Sequence, residues 1–194
     1  LGIDLDDYRY TNKKKKGRVL AVGRIERRKG FDLLLDAFYD ISKTDKDLVL
    51  EFVGDGPQYK ELKDRAINLG IEDQVFFYGW VKYNKVKKII GEATMLVHPS
   101  PEIGDAVPTV IKEAMALGTP VIGTKIAGIP ELLDNGRCGI LIEPKNIPAI
   151  HKSIKKLLYD SSLQTSLSDL GREYMEKKFN IDSNVRLLLE RIKN

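Results

Sequence analysis

Hydrophobic positions change their period repeatedly along this chain, and each change marks an element. Arg18 to Val22 is a short β-rich run that stops at Gly23. Phe31, Leu34, Phe38 and Ile41 then recur at helical spacing, one stripe of an amphipathic helix. Leu48 to Val53 reads as a strand halted by Gly54-Asp55-Gly56-Pro57. Pro57 predicts the first turn of a helix, where its missing N–H costs nothing, and Gly70 predicts that helix's stop just after Leu69. Gln74 to Tyr78 predicts a strand, Asn84 to Gly91 a short helix, and Thr94 to His98 a buried strand. Pro108 to Leu117 predicts a helix closed by Gly118, followed by a strand at Pro120 to Gly123, a short helix at Ile129 to Leu133 and a last strand at Gly139 to Ile142. Three helices end the chain, with stripes at Ile147, Ile150, Ile154 and Leu157, at Leu163, Leu167, Leu170 and Tyr174, and at Ile181, Val185, Leu188 and Ile192. The first ten residues show neither period.

Alternating strands and helices predict an α/β fold, a doubly wound Rossmann-like parallel sheet of about six strands with helices on both faces. Ligands of such sheets sit beyond the carboxyl ends of the strands. The loops after Val22, Val53, Tyr78, His98 and Gly123 are therefore where chemistry is expected.

Composition adds limits. The length of 194 residues suffices for one domain with a proper core, and 42% apolar against 31% charged residues fits a globular protein. No apolar stretch approaches the roughly 18 residues of a membrane helix. The amino terminus carries charges ahead of any apolar run, unlike a signal peptide. A single cysteine, Cys138, excludes an intrachain disulfide and suits a reducing cytosol. The net charge of +4 is modest and partly local, in the run Lys13 to Lys16. A solvated loop is the plainer reading of that run, with a contact to anionic lipid or nucleic acid as the lesser one. No helix-turn-helix, zinc spacing or aromatic-basic sheet signature speaks for nucleic acid.

The loop Gly23-Arg24-Ile25-Glu26-Arg27-Arg28-Lys29-Gly30 feeds directly into a helix. A helix amino terminus favours an anion, and Arg24 and Lys29 add a fork donor and a point charge, which together suit a diphosphate. The spacing is not G-x-G-x-x-G, so a dinucleotide is disfavoured. Gly54 and Gly56 form a second glycine turn that permits close approach of a ligand. The segment Pro99 to Pro120 holds Gly104 and Asp105 before entering a helix near Pro108. The free amides of Thr109 and Val110 are expected to face the same volume as Arg24 and Lys29, and Glu113 can accept both hydroxyls of a ribose. His98, at the end of a strand, is expected to pack rather than to react.

Five segments in order resemble the retaining glycosyltransferases of the GT-B fold, the "group 1" family. They are VGRIERRKG (Val22 to Gly30), EFVGDGP (Glu51 to Pro57), VFFYGWV (Val75 to Val81), EAMALGTPVIGT (Glu113 to Thr124) and GIPELL (Gly128 to Leu133). The resemblance implies that the chain is the donor-binding, carboxyl-terminal domain. Residues 1–16 would then be an interdomain linker remnant, 17–178 the nucleotide-sugar-binding domain, and 179–194 a helix that packs on an amino-terminal acceptor domain outside this chain. It implies a UDP-, GDP- or ADP-sugar as donor, no cofactor and no metal. Arg24 and Lys29 would hold the diphosphate, Glu113 the ribose, and the Trp80-Val81-Lys82 region the base. Asp105 stands where the family has its first glutamate, Ala106 replaces the glycine after it, and Glu102 lies nearby. The catalytic set so implied is Arg24, Lys29 and Asp105, with Gly23, Gly54, Gly56, Val81, Pro108, Thr109, Val110 and Glu113 completing the donor site. Peripheral membrane association of the full-length enzyme is left open. Three alternatives stand beside this reading: a metal-dependent transferase using Asp4-Leu5-Asp6, half of a nucleotide-sugar epimerase, and a nucleotide-binding regulatory module without turnover.

Overall fold

The structure, a computed structural model, describes residues 2–11, 13–103 and 107–193. Six parallel strands form one sheet: β1 (Arg18–Val22), β2 (Val49–Val53), β3 (Val75–Phe77), β4 (Met95–His98), β5 (Val121–Thr124) and β6 (Ile140–Ile142). Their spatial order is β3-β2-β1-β4-β5-β6. The chain thus returns to the middle of the sheet after β3 and reverses direction of growth between β1 and β4, the switch point at which such folds open a cleft. Helices α1 (Phe31–Ser42), α2 (Tyr59–Asn68), α3 (Tyr83–Glu92), α4 (Thr109–Ala116), α5 (Ile129–Leu132), α6 (Ile147–Tyr159), α7 (Ser161–Tyr174) and α8 (Ile181–Lys193) make the crossovers and the carboxyl-terminal cap.

Strand alternation divides the core in two. Val19, Leu50, Phe52, Val97 and Ile122 face α1, α2 and α6, whereas Leu20, Val53, Leu96 and Val121 face α3, α4 and α5. Because both faces are covered, β4 is buried at all four positions, and its first three, Met95 to Val97, read in sequence as a continuous apolar run. Element types agree with the periodicity throughout, and the differences lie at the ends. Helix α2 starts at Tyr59 rather than at Pro57, because Pro57 and Gln58 form the turn in which Gln58 N–H bonds to Ile25 O. Strand β3 is shorter than Gln74 to Tyr78, because the Gln74 side chain turns inward and donates to the carbonyls of Asp45 and Leu48. After α7 the helix widens into a π turn at Met175–Phe179 before α8.

Two features run against the sequence reading. The first ten residues lack a period yet bury Ile3 and Tyr8, Ile3 bridging to Asn180. The lysine run is not wholly a solvated loop either. Lys14 turns inward, its Nζ donating to Gly91 O (2.9 Å), Leu117 O (3.3 Å) and Thr119 Oγ1 (2.7 Å). Those carbonyls belong to the closing turns of α3 and α4, the negative ends of the helices, so three neutral acceptors and two dipoles hold the cation. Burial pushes its pKa down to about 7. No helix among the described residues is long and apolar enough to cross a membrane.

Candidate functional site

At the carboxyl edge of the sheet the loops after β1, β2 and β4 touch, and glycine is what permits it. Gly54 has φ 139°, and a Cβ there would fall 1.9 Å from the carbonyl oxygen of Gly23. Gly30, at φ 67°, closes the first loop with its α-carbon against the β4 loop, where a Cβ would lie 2.4 Å from Pro99 O. No side chain fits either contact. Hydrogen bonds from Gly23 N–H to Val53 O (2.9 Å) and from Ile25 N–H to Asp55 O (3.0 Å) pin the first two loops together.

Above this junction opens a cleft of about 750 Å³ lined by Gly23, Arg24, Gly54, Gly56 and Val81, with Asp55, Pro57, Trp80 and Val86 among the other walls. Its size suits a small organic ligand. Trp80 is 78% exposed, a large apolar ring held at the rim. Arg24 reaches over the cleft, 67% exposed, with Nε 3.5 Å from Glu26 Oε2, while Glu26 holds Arg28 more tightly at 2.6 Å. So solvated a pair is weak, and the Arg24 guanidinium can leave it for a bound anion. Lys29 is buried at the end of the 3₁₀ turn Arg27–Lys29, its stem packed beside Gly23.

Helix α4 follows β4, the sheet neighbour of β1, so its first turn stands at the same edge. Pro108 is the residue before that turn, and Thr109 and Val110 open it. Their amides have no carbonyl of their own helix to meet. One turn further, Glu113 is half-buried, and no hydrogen bond or ion pair to its carboxylate forms among the described residues. Burial raises its pKa above the usual glutamate value, against the opposing pull of Lys112 and Lys87. Lys87 projects from α3 between the rings of Tyr83 (5.0 Å) and Tyr8 (5.3 Å), and its Nζ donates to Asp7 O at 3.3 Å. Burial also raises the Tyr83 pKa, with Glu113 and Asp7 adding to the shift.

The expected residues are therefore distributed unevenly. Gly23, Arg24, Gly54, Gly56 and Val81 share one cleft, Lys29 packs beside Gly23, and Pro108, Thr109 and Val110 stand at the same sheet edge. Glu113 is not part of the cleft wall; it faces α3, whose Val86 is. Gly104, Asp105 and Ala106 lie outside the described residues. His98 is buried with Nε2 3.1 Å from Ser100 Oγ, a packed residue as expected. Asp4-Leu5-Asp6 lies ahead of every strand, and Asp4 Oδ1 accepts from Asp6 N–H at 3.0 Å in a local turn; none of the three lines the cleft. Asp55, Val86 and Glu26 escaped the sequence reading. They come from three separate loops or helices, and no spacing along the chain links them.

The profile of the family described as Glycosyl transferases group 1 matches residues 4–174. The chain belongs to this family. Among its relatives is N-acetyl-alpha-D-glucosaminyl L-malate synthase of Bacillus anthracis, 32% identical over 136 residues, which are 70% of this chain and 35% of that protein. A GDP-mannose-dependent alpha-(1-6)-phosphatidylinositol monomannoside mannosyltransferase of Mycobacterium tuberculosis is 26% identical over 94% of this chain and 51% of its own length. The chain thus spans about half the length of such relatives. Among solved structures, Anabaena Alr3699/HepE in complex with UDP superposes with a TM-score of 0.88 at 21% identity, over 99% of this chain and 56% of that one. The C-terminal domain of a glycosyl transferase group 1 family protein (LpcC) from Francisella tularensis gives 0.81 at 23% identity, over 93% of this chain and all of that one. At these identities the likeness establishes the fold: a Rossmann-like sheet matching half of a GT-B glycosyltransferase.

Proposed function

We propose that this chain is the donor-binding half of a retaining, metal-independent glycosyltransferase that takes a UDP-, GDP- or ADP-sugar. The acceptor would sit on a second domain across the cleft. The observation that carries the proposal is the cleft at the carboxyl ends of β1, β2 and β3, with Arg24 over it and Lys29 beside Gly23. Both cations stand at an edge where the first turn of α4 presents the amides of Thr109 and Val110, which meet no carbonyl among the described residues. When the bond between sugar and phosphate breaks, about one negative charge collects on the leaving β-phosphate. Preplaced cations and amides bind that charge more strongly than they bind the intact donor, which lowers the barrier. Trp80 and Val81 offer an apolar wall to the base. Glu113, carrying no competing partner, is assigned the ribose hydroxyls, which brings α3 and α4 into the site when the ligand bridges them. Asp105 is assigned the contact to the transferred sugar.

Removing one charged hydrogen bond costs about 1.5–3 kcal/mol. Arg24→Ala is thus expected to weaken a nucleoside diphosphate about tenfold to a hundredfold, read by calorimetric titration against UDP, GDP and ADP. Equal affinity in the variant removes Arg24 from the site. Affinity that collapses on adding a chelator removes metal independence.

A further inference from the structure

We propose that the face of the domain where the lysine run meets α3 is a docking surface for an anionic membrane. Residues 13–16 and 82–92 are far apart in sequence but adjoin in the fold. Lys15 N–H bonds to Glu92 O at 2.8 Å, and Lys15 Nζ lies 2.7 Å from Glu92 Oε2. Lys88, 74% exposed, forms the ridge between two grooves of about 560 and 420 Å³. Lys15 and Lys85 stand on one side of it, Lys13 and Arg9 on the other. Lys16, next along the run, is exposed as well.

Of the four carboxylates lining the two grooves, all but Asp6 are paired with a cation. Glu51 is bound by Arg18, Glu92 by Lys15 and Arg18, and Asp7 faces Lys87. Lys13, Lys16 and Lys82 meet no carboxylate among the described residues. The net charge of +4 is therefore concentrated here rather than spread over the molecule. Lysine predominates over arginine on the face. Point charges on long stems match the diffuse potential of anionic headgroups, whereas forked guanidinium groups are the usual readers of nucleic-acid phosphates. Exposed Phe76 beside the larger groove adds an aromatic ring of the kind that settles at a lipid interface. The face includes the amino-terminal end of β1, whereas the cleft lies at the carboxyl ends of the strands.

The test is co-sedimentation of the chain with vesicles of phosphatidylcholine alone and of phosphatidylcholine with about a quarter phosphatidylglycerol. Binding is expected only to the anionic vesicles and is expected to disappear between about 0.05 M and 0.5 M salt. Substituting Lys13→Gln, Lys16→Gln, Lys85→Gln and Lys88→Gln together should lower partitioning more than a hundredfold, at about fivefold for each charge. All four are exposed, and an unchanged thermal midpoint verifies the fold. The control carries the same charge change on the other sheet face: Lys60→Gln, Lys63→Gln, Lys155→Gln and Lys156→Gln. Three results overturn the proposal: equal binding to neutral vesicles, equal loss in the control, or binding to an RNA duplex that excludes the vesicles.

Discussion

At Glu113 the environment of a single side chain sets both affinity and stability. Burial raises its pKa, so the folded chain binds a proton that the unfolded chain has lost between the ordinary glutamate value and the raised one. Stability without ligand therefore falls as pH rises through that window, and the cost persists at neutral pH. A ribose needs the ionised form, so affinity for a nucleoside diphosphate should run the opposite way, full above the raised value and lost as pH falls through it. Glu113→Gln should leave the free protein as stable or more so, weaken the ligand, and flatten the pH profile of binding relative to wild type. Titrations over about pH 5 to 8 together with thermal unfolding check this, and a variant that is less stable but binds unchanged refutes the assignment. Arg18 illustrates the other kind of buried charge. Its guanidinium bonds Glu51 at 2.6 and 2.5 Å, and Tyr78 donates to the same carboxylate at 2.6 Å. Arg18→Met strands a carboxylate that is 3% exposed, and denaturant unfolding should show a loss of about 3–5 kcal/mol.

At the scale of elements, the cleft is made by loops rather than by helices or strands. The β1 and β2 loops approach so closely that Gly54 admits no side chain, and its φ of 139° is itself one that other residues rarely adopt. Gly54→Ala should cost about 2–5 kcal/mol through strain and overpacking. In a domain of this size that lowers the thermal midpoint by roughly 5 to 20 °C. Calorimetry checks it, and a neutral outcome would mean that the two loops separate freely. Helix α8 presents the reverse case, an element with an uncovered face. Ile181, Val185, Leu188, Leu189 and Ile192 are all exposed, by 39 to 72%. A stripe that apolar fits a partner surface, in keeping with the proposed second domain.

For the molecule as a whole, the reading makes ligand binding a property of this domain and transfer a property of two. A saturating nucleoside diphosphate, at about a hundred times its Kd, should add about 2.7 kcal/mol to stability. That raises the thermal midpoint by roughly 5 to 10 °C. A scan with UDP, GDP and ADP names the base by the largest shift, and no shift with any of them argues against the donor site.

Strand and helix identity, the parallel sheet and the glycine-bounded cationic loop after β1 were legible in the sequence, because each is encoded by neighbours. Val19 and Ala21 alternate against Leu20, Phe31 and Leu34 share a helical face, and Arg24 and Lys29 share one loop. Even Gly30 and Gly54 were visible as turn residues. What periodicity could not carry is any contact between segments that no repeat relates. Tyr8 and Lys14 lie in stretches without a period, yet one is buried and the other caps two helices, because α3 and α4 end where those residues arrive. Glu113 was legible as a carboxylate on the helix after β4, but its place outside the cleft wall and its company of Lys87 and Tyr83 were decided by how α3 packs on α4. Hydrophobic pattern is a local record of which side faces inward; which inward faces meet is settled only when the whole chain closes.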